Sequence, residues 1–103
     1  MTNTPRPETL RPYAAGWLPP TKDEIEIVLH LIRERLAYPR PLGGSEVAAL
    51  VGLSIDPVKG CRGFRRWMSD STTINYSAWA ILCDLAGLGI IWRQDEDDRV
   101  SIL

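Results

Sequence analysis

A cluster of basic side chains in the middle of the chain has residue types and spacing that suit contacts with anions. The span from Asp56 to Trp67 holds one acid and four bases, which are Lys59, Arg62, Arg65 and Arg66. Guanidinium groups donate paired hydrogen bonds to phosphate and to the acceptor atoms of guanine. The formal net charge of the whole chain is −1, so these bases form a local cationic site on a near-neutral protein. The cluster therefore predicts contact with DNA, and a solvated helix face bearing ion pairs is the alternative.

The other candidates for chemistry form no catalytic or metal-binding set. His30 is the single histidine and has no partner motif, so we interpret it as a surface or boundary residue. Cys61 and Cys83 lack the paired spacing of a zinc site and are expected to be reduced core residues. The acidic run 95–98 lacks the alternating ligands and glycine of a calcium loop. The glycine pair 43–44 is not followed by the lysine of a P-loop. We therefore predict a protein that is not an enzyme and uses no metal or cofactor.

Two short helices joined by a turn are predicted to position the basic cluster. Ser45 is a good N-cap, and apolar residues follow it at helical spacing. Gly52 can adopt a positive φ without a Cβ clash, so it predicts the end of this first helix. The Asp-Pro pair at 56–57 predicts the start of the second, with proline at the first helical position. In this second helix Val58 and Cys61 would face the core, and the bases would face outward.

This pattern resembles the DNA-binding helix-turn-helix. The likeness is carried by a small residue in the first helix, a glycine at the turn and apolar residues after it, namely Ala48, Gly52, Leu53, Val58 and Cys61. The Arg-Arg-Trp sequence at 65–67, a polar loop and the Tyr-x-x-Trp helix at 76–79 are similar to lambda-repressor/Cro-like (Xre-type) proteins of phages, plasmids and integrative elements. The resemblance covers roughly residues 42–88. It implies a recognition helix in the major groove, with these residues as the DNA contacts: Lys59, Arg62, Arg65 and Arg66.

The flanking segments complete a mainly α, small helix-turn-helix bundle of about four helices, with a C-terminal β-hairpin. Residues 21–24 form a capping box that begins a helix with an apolar stripe. A later helix should end at Gly87, which we expect at the C′ position. We assign residues 21–88 to the helical domain. Two β-rich runs around an acidic turn at 89–103 predict a hairpin, which would also support self-association through Trp92.

Prolines dominate residues 1–20 and exclude an α-helix there. We predict an extended Pro-rich arm, with Trp17 and Leu18 available to fasten it to the domain. Deletion of residues 1–16 is accordingly expected to leave the fold intact.

The composition fits one small globular domain. Of the 103 residues, 45% are hydrophobic and 24% are charged. No apolar run is long enough to span a bilayer, and the N-terminus shows no signal peptide. We therefore expect no membrane association and a cytoplasmic location.

Two functions from different classes are compatible with these patterns. The first is a sequence-specific DNA-binding transcriptional regulator of a mobile genetic element, a repressor that binds double-stranded DNA as a homodimer. The alternative is a phage-encoded inhibitor that binds a host protein, such as an anti-CRISPR protein with a helix-turn-helix-like fold. The arginine cluster favours the repressor, whereas Gly60 and Gly63 in the second helix, together with the acidic tail, favour the inhibitor.

Overall fold

The computed structural model of the chain describes residues 4–93, and this part is mainly α. Two short 3-10 helices are followed by four α-helices. The 3-10 helices are Pro7–Leu10 and Tyr13–Ala15, and the α-helices are α1 (Lys22–Leu36), α2 (Gly44–Val51), α3 (Arg62–Met68) and α4 (Tyr76–Leu85). The prediction of a mainly α bundle of about four helices is confirmed. None of the helices within 4–93 is long and apolar enough to cross a membrane.

The segment after α4 does not form the first strand of the predicted hairpin. Over residues 89–93 the structure contains no strand, and the Arg93 N–H closes a turn on the Ile90 carbonyl at 3.2 Å. This turn buries Ile91, which is 4% exposed. Ile91 therefore packs in the core although the backbone around it does not form an extended strand. The rest of the predicted hairpin, 94–103, lies outside the described residues.

The helix α1 begins as its sequence predicts. Thr21 Oγ1 accepts a hydrogen bond from the Glu24 N–H at 3.2 Å, and Glu24 Oε1 accepts one from the Thr21 N–H at 2.8 Å. These two bonds complete the capping box. At the other end Ala37 adopts a φ of 58°, and the chain leaves the helix before Pro39. The inward side of α1 is apolar and buried, and consists of Ile25, Val28, Leu29 and Ile32.

The helix α2 begins earlier than its predicted cap. Gly43 is the N-cap, and its N–H donates to Glu46 Oε1 at 2.7 Å. Ser45 therefore lies exposed within the first turn, because the longer glutamate side chain already satisfies the helix start. The helix ends at Gly52, where φ is 82° and the N–H donates to the Ala48 carbonyl at 2.8 Å.

The helix α4 carries the centre of the core. Its N-cap is Asn75, and Trp79 is fully buried. At the C-terminal end the Leu88 N–H donates to the Cys83 carbonyl at 2.9 Å, and Gly87 has a φ of 84°. This is the helix ending expected for glycine at C′. Cys83, like Cys61 of the α3 cap, is a buried free cysteine, and burial raises the pKa of the Cys83 thiol to about 12.

The N-terminal segment is part of the packed domain and not an extended arm. Thr9 is fully buried, and its carbonyl oxygen accepts hydrogen bonds from the indole N–H groups of Trp79 at 2.7 Å and Trp17 at 2.9 Å. The prolines exclude an α-helix but are compatible with the tight 3-10 turns that place this carbonyl over α4. In addition, Tyr76 on α4 donates its hydroxyl hydrogen to the Arg11 carbonyl at 3.1 Å.

Arg6 joins the same segment to α1. Its guanidinium donates to the Glu24 carboxylate through Nε and Nη2, each at 3.0 Å, and its backbone N–H donates at 2.8 Å. Burial raises the pKa of the Glu24 carboxyl, but the hydrogen bonds from Arg6 and Thr21 outweigh it and hold the pKa at about 2. The first turn of α1 is therefore fixed by Arg6, the residue just before the first 3-10 helix.

Candidate nucleic-acid interface

Three arginines occupy the outward side of α3. Successive residues in an α-helix are about 100° apart, so Arg62, Arg65 and Arg66 fall within one sector of about 100°. All three are exposed. Phe64 and Trp67 lie on the opposite side, and Trp67 is only 6% exposed. The seven residues of α3 therefore separate into an aromatic inner side and a cationic outer side.

The inner side of α3 sets its position against α2. The rings of Phe64 and Trp67 meet edge to face, with centroids 6.5 Å apart. A Cβ at Gly44 would lie 3.1 Å from the Cβ of Cys61, so the first residue of α2 approaches the start of α3 very closely. The absence of a side chain at Gly44 permits this approach. The contact keeps the outer side of α3 in a defined direction.

A tight loop of residues 56–60, called the 56–60 loop below, projects just before α3. Asp56 and Gly60 exchange two backbone hydrogen bonds, each of 2.9 Å. The Asp56 carboxylate also accepts hydrogen bonds from the N–H groups of Lys59 and Val58, each at 2.8 Å, and these two bonds lower its pKa. At Gly60 a φ of 79° allows the loop to close. The exposed side chains of Val58 and Lys59 are presented at its tip.

The 56–60 loop takes the place of the first part of the predicted second helix. Pro57 does not occupy a first helical position, because α3 begins only at Arg62. Val58 does not face the core and is 90% exposed, and Lys59 lies on a loop. The physical reason is that the Asp56 side chain bonds to nearby backbone N–H groups and stabilises a turn, which competes with a helix. The Asp-Pro start and a glycine suited to positive φ are the sequence signals for this loop.

The other residues predicted to build the helix-turn-helix lie around the contact between α2 and α3. Ala48 and Cys61 are buried. Leu53 is half-buried beside Gly63, where a Cβ would lie 3.6 Å from a leucine methyl group. The connection 52–61 is longer than the turn of about 3–4 residues in a helix-turn-helix. The structure thus brings α2 and α3 together but joins them by a longer, structured loop.

No carboxylate in the described part of the chain forms an ion pair with the arginines of α3. Within 4–93 the ion pair is Arg6–Glu24, and the His30 imidazole lies 3.4 Å from the Glu34 carboxylate. The Arg65 guanidinium contributes to the lowered pKa of Asp56 only as a charge, without an ion-pair contact. We call the set Lys59, Arg62, Arg65 and Arg66 the cationic face. Its guanidinium groups are exposed within the described part of the chain.

Comparisons with known proteins identify the class and the family. No family model and no solved structure matches the chain. One relative, a "Transcriptional repressor protein KorC" from Escherichia coli, is 47% identical over 88 residues, or 85% of this chain and 89% of the relative. A second protein of the same name and organism is 42% identical over 96 residues, or 91% of this chain and 99% of the relative.

These relatives place the chain in the class of transcriptional repressors. More narrowly, the chain belongs to the KorC family of transcriptional repressor proteins. The prediction of a transcriptional repressor is therefore confirmed. The relatives offer no support for the alternative, an inhibitor of a host protein.

Proposed function

We propose that this repressor acts by binding double-stranded DNA through the cationic face. The observation that carries the proposal is the arrangement of Arg62, Arg65 and Arg66 on one exposed side of α3, with no ion-pair partner in the described residues. A duplex is densely charged, and each phosphate that a cation neutralises releases counterions. The near-neutral charge of the whole chain limits binding away from this face.

The arginines and the lysine of the cationic face are expected to make different contacts with DNA because they lie on different elements. The rigid inner contacts of α3 allow it to act as the recognition helix, as the lambda-repressor/Cro-like resemblance implies. Arginines on its outer side can reach paired acceptors on guanine, whereas Lys59 on the loop suits a phosphate. Phosphate contacts would position the protein, and base contacts would select the sequence.

We further propose that the repressor binds as a homodimer. Ile90 is 39% exposed and Trp92 is 49% exposed, and both follow α4 next to the buried Ile91. Such apolar surface suits contact with a second copy of the chain. Two copies would place two cationic faces in successive major grooves, about one helical turn apart.

We propose that this activity takes place in a bacterial cytoplasm and that the gene belongs to a mobile genetic element. The Arg-Arg-Trp and Tyr-x-x-Trp patterns, which resemble proteins of phages, plasmids and integrative elements, support that origin. Sequencing of the flanking genes tests it, because replication, transfer or integration genes are expected there.

Fluorescence anisotropy tests the binding of DNA directly. The probe is the duplex upstream of the protein's own gene, titrated at several salt concentrations. A double substitution, Arg62→Ala with Arg65→Ala, should abolish specific binding. For the residual binding of the variant, the slope of log affinity against log salt concentration should be smaller by about 0.9 for each phosphate that the variant no longer neutralises. Both side chains are exposed, so the melting temperature should stay unchanged.

The matched control is Lys22→Ala with Arg40→Ala. It removes the same charge from exposed positions outside the cationic face. This control should bind like the parent at moderate salt. Parental affinity and salt slope in the Arg62/Arg65 variant would refute the assignment of α3 as the DNA-binding helix.

A further inference from the structure

We propose that Val58 reads the DNA sequence by packing against the C5 methyl group of a thymine in the major groove. This inference rests on the proposed DNA-binding function and adds a specificity contact to it. Val58 is 90% exposed, and no other large apolar side chain in the described residues is as exposed. A valine held in water contributes nothing to the core, so packing within the monomer does not account for its position.

The loop around Val58 is held together by its own hydrogen bonds. Two reciprocal backbone hydrogen bonds close it between Asp56 and Gly60, and two more join its backbone to the Asp56 carboxylate. A contact surface that is rigid before binding loses little conformational entropy on binding. The side chain at the tip is therefore held in a defined position, and a contact with one particular base requires this.

The neighbours of Val58 identify the chemistry of its partner. Lys59 is adjacent at the loop tip, and α3 begins shortly after the loop with Arg62. These cations would draw the tip toward phosphate and the major groove. The principal apolar group exposed in that groove is the thymine methyl, and apolar side chains contact it in direct readout. An exposed valine next to a lysine suits a thymine methyl group bordered by phosphates.

Thymine-to-deoxyuridine scanning tests this contact, because deoxyuridine lacks only the C5 methyl group. The probe is a duplex selected from a random pool by the parental protein, with each thymine replaced singly. At one thymine the replacement should weaken parental binding about fourfold, the value for one buried methyl group. A Val58→Ala variant should bind the unmodified duplex about fourfold more weakly and should lose sensitivity at that thymine.

A Lys59→Ala variant is the matched control on the same loop. It should bind every duplex more weakly by the same factor and keep the parental pattern of deoxyuridine sensitivity. The melting temperature of both variants should equal that of the parent, since both side chains are exposed. If Val58→Ala keeps the parental affinity and every parental sensitivity, the valine contact is refuted. If the Arg62/Arg65 double variant also binds normally, the proposed function itself fails.

Discussion

The Glu24 carboxylate should make the stability of this repressor depend on pH in a defined window. We consider Glu24→Gln, which keeps the shape of the side chain and removes its charge. The carboxylate accepts four hydrogen bonds, three from Arg6 and one from Thr21, and its side chain is 9% exposed. Its pKa falls from 4.5 to about 2 on folding. That shift corresponds to at most about 3 kcal/mol of folding free energy.

Solvent screening reduces this value, because the Arg6 side chain is 47% exposed. We therefore expect Glu24→Gln to destabilise the protein by about 1–2 kcal/mol at pH 7. For a domain of this size the melting temperature should fall by about 5–15 °C. A carboxyl with a lowered folded-state pKa stabilises the protein above its unfolded pKa of 4.5, and this contribution is lost as the pH falls through about 2.

The measurement is the difference between the parent and Glu24→Gln in thermal or urea unfolding at pH values from 7 to about 2, the folded-state pKa of Glu24. The difference should be constant down to about pH 4.5 and should shrink toward zero at about pH 2. A Glu26→Gln variant, at an exposed position on the same helix, should show little difference at any pH. A stability difference between the parent and Glu24→Gln that is absent at pH 7, or that does not change with pH, would refute this account of the carboxylate.

Three further predictions concern packing and assembly. Ala48→Leu should destabilise the domain by about 1–3 kcal/mol in urea unfolding, because Ala48 is buried where α2 packs; parental stability would contradict a packed site. Deletion of residues 1–16 should lower the melting temperature by about 10 °C or more, because Trp79 loses its hydrogen-bond acceptor at Thr9; an unchanged value would show that the segment is not docked. The parental mass in light scattering should rise with concentration and that of Trp92→Ser should not; a constant monomer mass for the parent would count against the homodimer.

Local signals in the sequence are sufficient to predict those helix ends that depend on a few neighbouring residues. The capping box at Thr21 and the glycine ending at Gly87 require only contacts within one turn of helix. The predicted start of α2 is wrong because Glu46 satisfies the Gly43 N–H, a choice between two polar side chains that spacing alone does not decide. The outward direction of Arg62, Arg65 and Arg66 follows from helical periodicity and agrees with the structure.

The remaining errors arise where one set of residues supports two local structures. Asp56 and the proline after it are typical of a helix start and also of a turn, and Gly60 allows the turn to close. The predicted position of Val58 is reversed for that reason. Within residues 1–20 the apolar Trp17 indicates some attachment to the domain, and it does pack against the core. The contact with Trp79 is distant in sequence, so local patterns do not indicate how closely the segment docks.

The hydrogen bond between Trp79 and the Thr9 carbonyl also has a consequence for how the protein folds during synthesis. It joins residues 70 positions apart, so the segment around Thr9 must wait for α4 before its central contact can form. At the usual translation rates this delay is about 4–14 s. From its own synthesis until that of α4, α1 lacks its main packing partner among the described helices. The N-terminal segment of the nascent repressor should therefore dock only after α4 has been synthesised.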